Sequence, residues 1–167
     1  MKTTLYVCLL SFLVFGCSSP KSNGEINTEA IETTAPQPEH FFQATDGTYY
    51  QLADLIGKRV FINYWATWCK PCIAEMPDIQ VAADRLKDEN YVFFLVSDQD
   101  IDKIKTFEKE RGFNLTFAKL NGKIQDLGIQ SLPTTMIYNT KGEQIRKITG
   151  AVKWDSEDML TSLRDVQ

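Results

Sequence analysis

Two thiols stand three positions apart in Trp68-Cys69-Lys70-Pro71-Cys72, directly after the apolar run Val60-Phe61-Ile62-Asn63-Tyr64-Trp65. That spacing puts the second sulfur about one helical turn beyond the first. A strand that runs into a dithiol at a helix start is suited to making a reactive thiolate, and the reaction it predicts is thiol–disulfide exchange. Cys69 is expected in the N-cap region of a helix over 71–87, where unpaired amides and the helix dipole favour an anion. Pro71 suits the first turn because it lacks an amide hydrogen that would be orphaned there. Lys70 adds a cation beside Cys69, with an effect limited by its exposure. Cys72 lies one turn deeper, so Cys69 is expected to attack and Cys72 to resolve the mixed disulfide.

Two further cysteines, Cys8 and Cys17, fall in the first 17 residues. Lys2 forms a short positive start, and Leu5 to Phe15 is an apolar run of 11 residues. A membrane span needs about 20 apolar residues, so residues 1–16 read as a signal peptide. Val14-Phe15-Gly16-Cys17 resembles the bacterial lipobox, which makes Cys17 a lipidation site, although Phe15 is bulkier than that motif usually carries. Ordinary secretory cleavage nearby is the alternative. On the lipoprotein reading Cys8 is removed and Cys17 is consumed, leaving Cys69 and Cys72 as the only thiols of the folded domain. A structural zinc site wants four ligands. With His40 as the sole histidine and no second cysteine pair, no metal is expected.

The mature chain would be Cys17 to Gln167, with 17 basic against 22 acidic residues and a net charge of −5. Mild acidity without a basic cluster argues against nucleic acid as a partner. No glycine-rich phosphate loop is present, so no bound cofactor is expected beyond a redox-active Cys69–Cys72 disulfide. The 23 residues 18–40 are rich in Ser, Thr, Glu and Pro and poor in apolar side chains. They read as a disordered tether, with a reach of about 25 Å if flexible.

The elements that must position the dithiol follow in 41–167. Thr48 to Leu52 and Arg59 to Trp65 read as strands joined by Asp54-Leu55-Ile56-Gly57-Lys58. The 71–87 helix carries Met76, Ile79, Ala83 and Leu86 on one face. Tyr91 to Ser97 is a continuous apolar run, as in a strand buried on both faces. Ile101 to Arg111 has helical spacing through Ile104 and Phe107, and Gly112 stops it. Leu115 to Lys119 reads as a short strand, with a helical turn near Ile124 to Leu127. Thr135 to Tyr138 and Gln144 to Ile148 flank a glycine-bearing hairpin turn. Asp155-Ser156-Glu157-Asp158 starts a last helix with Met159, Leu160 and Leu163 inward. Trp65 is expected in the core and Trp154 as packing near this helix. Alternating strands and helices predict an α/β fold with parallel pairs, and the hairpin adds antiparallel ones. Lys103, Lys105, Lys109 and Arg111 read as a solvated face.

Residues 41–167 resemble the thioredoxin-fold proteins of the TlpA/ResA type, which are membrane-attached extracytoplasmic thiol–disulfide oxidoreductases. The resemblance rests on Asn63-Tyr64-Trp65-Ala66-Thr67-Trp68-Cys69-Lys70-Pro71-Cys72, on Glu75 and Pro77, on Leu132-Pro133-Thr134-Thr135, and on Gly150-Ala151. It implies a thioredoxin-like fold, a central mixed β-sheet flanked by helices, with an N-terminal extension and an inserted strand–helix element. It implies a cis peptide bond before Pro133, beside the dithiol, where the neighbouring backbone can pair with a substrate strand. Trp68, Leu132 and Lys70 are then expected to border the substrate. Glu75 follows Cys72 by three residues on the same helical face. It resembles the family's glutamate proposed to manage protons around the cysteines, and a raised pKa would suit it to take a proton as Cys72 attacks. Asn63 stands where cytosolic thioredoxins place a buried aspartate, which leaves Glu75 as the only close acid. Pro77 is expected to bend the helix.

The expected function is a membrane-anchored, monomeric enzyme of the cell envelope that reduces disulfides of exported proteins. Apocytochrome c is one client the resemblance suggests, and a membrane thiol-transfer protein the electron donor. A disulfide-forming oxidant and a tethered thioredoxin-fold binding module are the alternatives. A peroxidase is disfavoured because Cys69 lacks a Pro-x-x-x-Thr-x-x-Cys context.

Overall fold

The computed structural model describes residues 41–167. The expected signal segment, Cys17, the tether and His40 lie outside the described residues. The described chain runs β1 (Phe41–Ala44), β2 (Tyr49–Gln51), a 3-10 turn (Leu52–Leu55), β3 (Arg59–Tyr64), α1 (Lys70–Leu86), β4 (Tyr91–Ser97) and α2 (Ile101–Arg111). It continues with β5 (Thr116–Leu120), a second 3-10 turn (Ile124–Leu127), β6 (Thr134–Tyr138), β7 (Gln144–Thr149) and α3 (Glu157–Arg164). The seven strands form one mixed sheet in the order β2-β1-β5-β4-β3-β6-β7.

The apolar runs occupy the middle of that sheet. β3 pairs in parallel with β4, and β4 in parallel with β5, so both faces of the run at 91–97 need cover. One face meets α1, α2 and α3 through Phe61, Trp65, Phe93, Leu95, Phe117, Ile137 and Trp154. The other gathers Phe42, Val60, Ile62, Tyr64, Phe94, Val96 and Met136. Alternation along β3 therefore divides one strand between two apolar clusters, as the two-residue period of a strand requires.

Helix ends follow their local chemistry. α2 stops at Gly112, whose φ of 67° is left-handed and whose N–H donates to the Glu108 carbonyl. α3 starts at Ser156, whose side chain accepts from the Met159 amide, and Glu157 and Asp158 occupy its first turn. α1 runs from Lys70 to Leu86 without a break through Pro77. Its buried positions are Cys72, Glu75, Met76, Ile79, Ala82 and Leu86; Ala83 is half-buried and packs against the same cluster, and Ala82 beside it is the fully buried one.

One strand was not expected. Phe41–Ala44 pairs antiparallel with both β2 and β5, turning at Asp46-Gly47. The Thr48 amide donates to Asp46 Oδ1 at 2.8 Å and Ala44 N–H to the Thr48 carbonyl at 2.8 Å. Asp-Gly between alternating residues is a hairpin signal. The β6–β7 hairpin forms as expected, with Gly142 at φ 80°.

Candidate redox site

β3 ends at Tyr64, and the chain crosses to α1 through Trp65–Cys69. Trp65 N–H donates to the Val96 carbonyl at 3.0 Å, and the indole is fully buried between Phe107 and Phe117, with centroids at 4.6 and 5.5 Å. Gln99 fixes the next residue. Its Oε1 accepts from Thr67 N–H at 2.7 Å and its Nε2 donates to Thr67 Oγ1 at 3.1 Å. Nothing in the spacing of the sequence pointed to Gln99. Gln99→Ala is expected to lower the stability of the oxidised domain by about 1–2 kcal/mol, one modest increment per lost hydrogen bond, read from the denaturant midpoint.

Cys69 is the N-cap of α1, with extended backbone at φ −84°, ψ 91°, and its Sγ accepts from Cys72 N–H at 3.3 Å. Pro71 lies in the first turn. Cys69 and Cys72 are joined as a disulfide, with Cα atoms 5.3 Å apart. Both are buried, Cys69 at 4 % exposure and Cys72 at 0 %, so the outer sulfur is the one nearer solvent. When the pair is reduced, a thiolate on Cys69 sits where a helix start favours negative charge. Lys70 is exposed on the first turn.

Glu75 is one turn beyond Cys72 and 3 % exposed. Its Oε1 accepts from Asn63 Nδ2 at 2.8 Å; its Oε2 accepts from Val152 N–H at 2.9 Å and Trp154 Nε1 at 3.0 Å. Asn63 Nδ2 also donates to Thr135 Oγ1 at 2.9 Å. Burial raises the Glu75 carboxyl above its ordinary value, the three donors oppose that rise, and the nearby Asp78 charge adds to it. The residue that replaces the thioredoxin aspartate thus becomes a clamp on the remaining acid. Trp154, expected as packing alone, is a partner of Glu75 as well as a core residue.

The Leu132–Pro133 bond is cis, as the resemblance implied. Pro133 is buried, its carbonyl accepts from Gly150 N–H at 2.8 Å, and Leu132 packs against the cluster that contains both cysteines. Trp68, 72 % exposed, and Leu132 line one cleft of about 110 Å³ with Asp98, Ile129 and Ser131. Two of the three expected substrate-bordering residues are therefore brought together, and Lys70 is not among the residues lining that cleft.

Residues 26–153 match the AhpC/TSA family model. Thiol-disulfide oxidoreductase ResA of Oceanobacillus iheyensis is 30% identical over 167 residues, covering 92% of this chain and 82% of that protein. The chain belongs to the AhpC/TSA family and to its ResA-type thiol-disulfide oxidoreductases. ResA of Bacillus subtilis is 28% identical over 127 residues, covering 74% of this chain and 71% of that protein. The exposed lipoprotein thioredoxin of Streptococcus pneumoniae superposes with a TM-score of 0.66 at 26% identity, over 76% of this chain and 98% of that one. A thiol:disulfide interchange protein DsbE from Chlorobium tepidum superposes at 0.67 over 77% of this chain and 94% of that one; at 19% identity it supports the fold alone. The thioredoxin-like fold expected from the sequence is present, and the protein is a redox enzyme of the thiol–disulfide oxidoreductase class.

Proposed function

We propose that this enzyme works as a reductase of disulfides in exported proteins, held in the cell envelope by a lipid on Cys17. On this reading residues 1–16 are removed, 17–40 form the tether and 41–167 the catalytic domain, acting as a monomer. The observation that carries the reductase chemistry is a buried carboxylate one helical turn from a buried resolving thiol. The Cys69 thiolate attacks a client disulfide, forming a Cys69–client bond and releasing one client sulfur as a thiolate. Glu75 takes the proton of the Cys72 thiol. Cys72 sulfur then attacks Cys69 Sγ, forming the Cys69–Cys72 bond and expelling the second client thiolate, which is protonated from solvent. Two electrons pass from the dithiol to the client, and a dithiol-bearing membrane electron donor restores the pair. Trp68 and Leu132 border the client, Lys70 lies beside the attacking sulfur, and Pro133 shapes the wall behind it. Apocytochrome c, whose haem-binding cysteines must be reduced, is one client of this kind.

The helix-start position of Cys69 also favours the reduced thiolate form, which is the property of an oxidant. Equilibration of the dithiol with glutathione buffers separates the two readings. The reductase is expected to hold a potential at or below that of the extracytoplasmic thiol pool and to reduce a disulfide-bonded peptide when supplied reduced. A potential well above that pool, with net disulfide formation in a dithiol peptide, sinks the reductase reading.

A further inference from the structure

The three groups that bind Glu75 are all donors. A neutral carboxyl must place its own proton; neither the Val152 amide nor the Trp154 indole nitrogen can accept one, and Asn63 presents its amide nitrogen to Glu75 while its acceptor Oδ1 is turned away, buried and without a partner among the described residues. The site is therefore built for the ionised form, although burial works against it. Two of the donors come from one short segment between β7 and α3 (residues 150–156). Val152 N–H and Trp154 Nε1 both reach Oε2, while Lys153 Nζ between them bonds Asp78 Oδ1 at 2.9 Å. The segment thus grips α1 at two successive positions of one face, 75 and 78. The Trp154 ring has no freedom to leave: it is fully buried and meets Phe61 edge-on, with centroids 4.8 Å apart and planes at 84°. It belongs to the same packed cluster as Cys69 and Cys72.

We propose that Trp154 is a positioning residue for the dithiol reaction, its indole N–H holding the Glu75 carboxylate ionised and aimed to take the proton of Cys72. The inference rests on the proton-acceptor reading of Glu75. The charged and titratable groups around Glu75 are Asp78 and the cysteine pair on its own helix, with Lys153 facing it from the 150–156 segment through Asp78; Asn63 on β3 and Thr135 on β6 are neutral. Above its midpoint Glu75 is a carboxylate and can accept the proton; below it, Glu75 is already protonated and cannot. The resolving step therefore speeds up as pH rises through that midpoint. Removing a donor to the carboxylate moves the midpoint further up.

The test uses the reduced protein and 5,5′-dithiobis(2-nitrobenzoate). Attack by Cys69 releases one thionitrobenzoate and leaves the other on Cys69; attack by Cys72 releases the second, so with the reagent raised until the first release outruns the second, the phase that no longer depends on reagent concentration is the resolving step. That phase is followed against pH, and the Glu75 carboxyl is titrated by carbon-13 NMR in the oxidised protein. In Trp154→Phe both midpoints are expected to rise by about one pH unit, a tenfold change in acid dissociation constant. If that variant does not fold, replacement of Trp154 by its benzothienyl analogue, which exchanges the ring N–H for sulfur at nearly constant shape, gives the same reading. Glu75→Gln is expected to abolish the pH step altogether. If Glu75→Gln abolishes it while both Trp154 replacements leave the midpoints in place, the positioning role is overturned and the Glu75 role stands. If Glu75→Gln leaves the step intact, the proton-acceptor reading falls and the role of Trp154 with it.

Discussion

Cys72→Ala stops turnover and leaves Cys69 covalently joined to client proteins. The two sulfurs are unequal in the fold: Cys69 caps α1 and is the less buried, while Cys72 is fully enclosed one turn inside. The first attack needs only Cys69. The second depends on a nucleophile held within bonding range, and well-oriented intramolecular groups act at effective concentrations upward of about 10⁵ M, which no free thiol replaces. Turnover of a disulfide-bonded peptide should fall to the uncatalysed background, and non-reducing gels should show mixed adducts that collapse on adding a reductant. Cys69→Ala should lose both turnover and adducts. Mass spectrometry of the trapped species names the clients directly. Adducts on Cys72 in the Cys69→Ala protein, and none on Cys69 in the reciprocal variant, would reverse the assigned roles.

Trp65→Ala should cost about 3–5 kcal/mol, the range for emptying a large aromatic from a core. Against a typical total of about 5–15 kcal/mol this removes much of the stability. The reason is local: the indole fills the space between β5 and α2 through Phe117 and Phe107, immediately before the dithiol loop. With a urea slope of about 1–3 kcal/mol/M, the unfolding midpoint of the oxidised protein drops by about 1–5 M. Trp65→Phe should behave differently. Trp65 Nε1 is buried with no hydrogen-bond partner among the described residues, a cost of about 1–3 kcal/mol already carried by the native protein. Phenylalanine removes that cost while keeping a ring, so its effect is expected below about 1.5 kcal/mol. Equal losses in both variants would overturn this, since neither the retained ring nor removal of the stranded N–H would then have offset anything.

The dithiol was legible because its chemistry is local. Two cysteines, a first-turn proline and the preceding apolar strand all lie within a dozen residues, and the caps at Gly112 and Ser156 are equally short-range. Glu75 was legible through its spacing from Cys72 together with the family resemblance, and burial raises its carboxyl above the ordinary value. The cis bond before Pro133 was reached only through family resemblance, since no local residue pattern demands it. Phe41–Ala44 escaped notice because four residues beside a polar stretch give too little alternation, even with Asp46-Gly47 following. The Trp154–Glu75 bond was out of reach for a different reason. It joins residues 79 apart through a segment with no periodicity, so only the packed sheet and helices bring them together.

The unexpected strand has a directional consequence. β1 lies antiparallel to β5, with Phe42 opposite Leu120, so the described chain enters the sheet at the end where the parallel strands finish. β3 finishes at that same end, where it hands the chain to the dithiol. Three strand spacings separate β1 from β3, about 14 Å across the sheet. Chain entry and chemistry thus share one pole of the domain. A partner that docks on the dithiol therefore meets the end through which the chain enters the sheet, and one that docks at the opposite end meets neither.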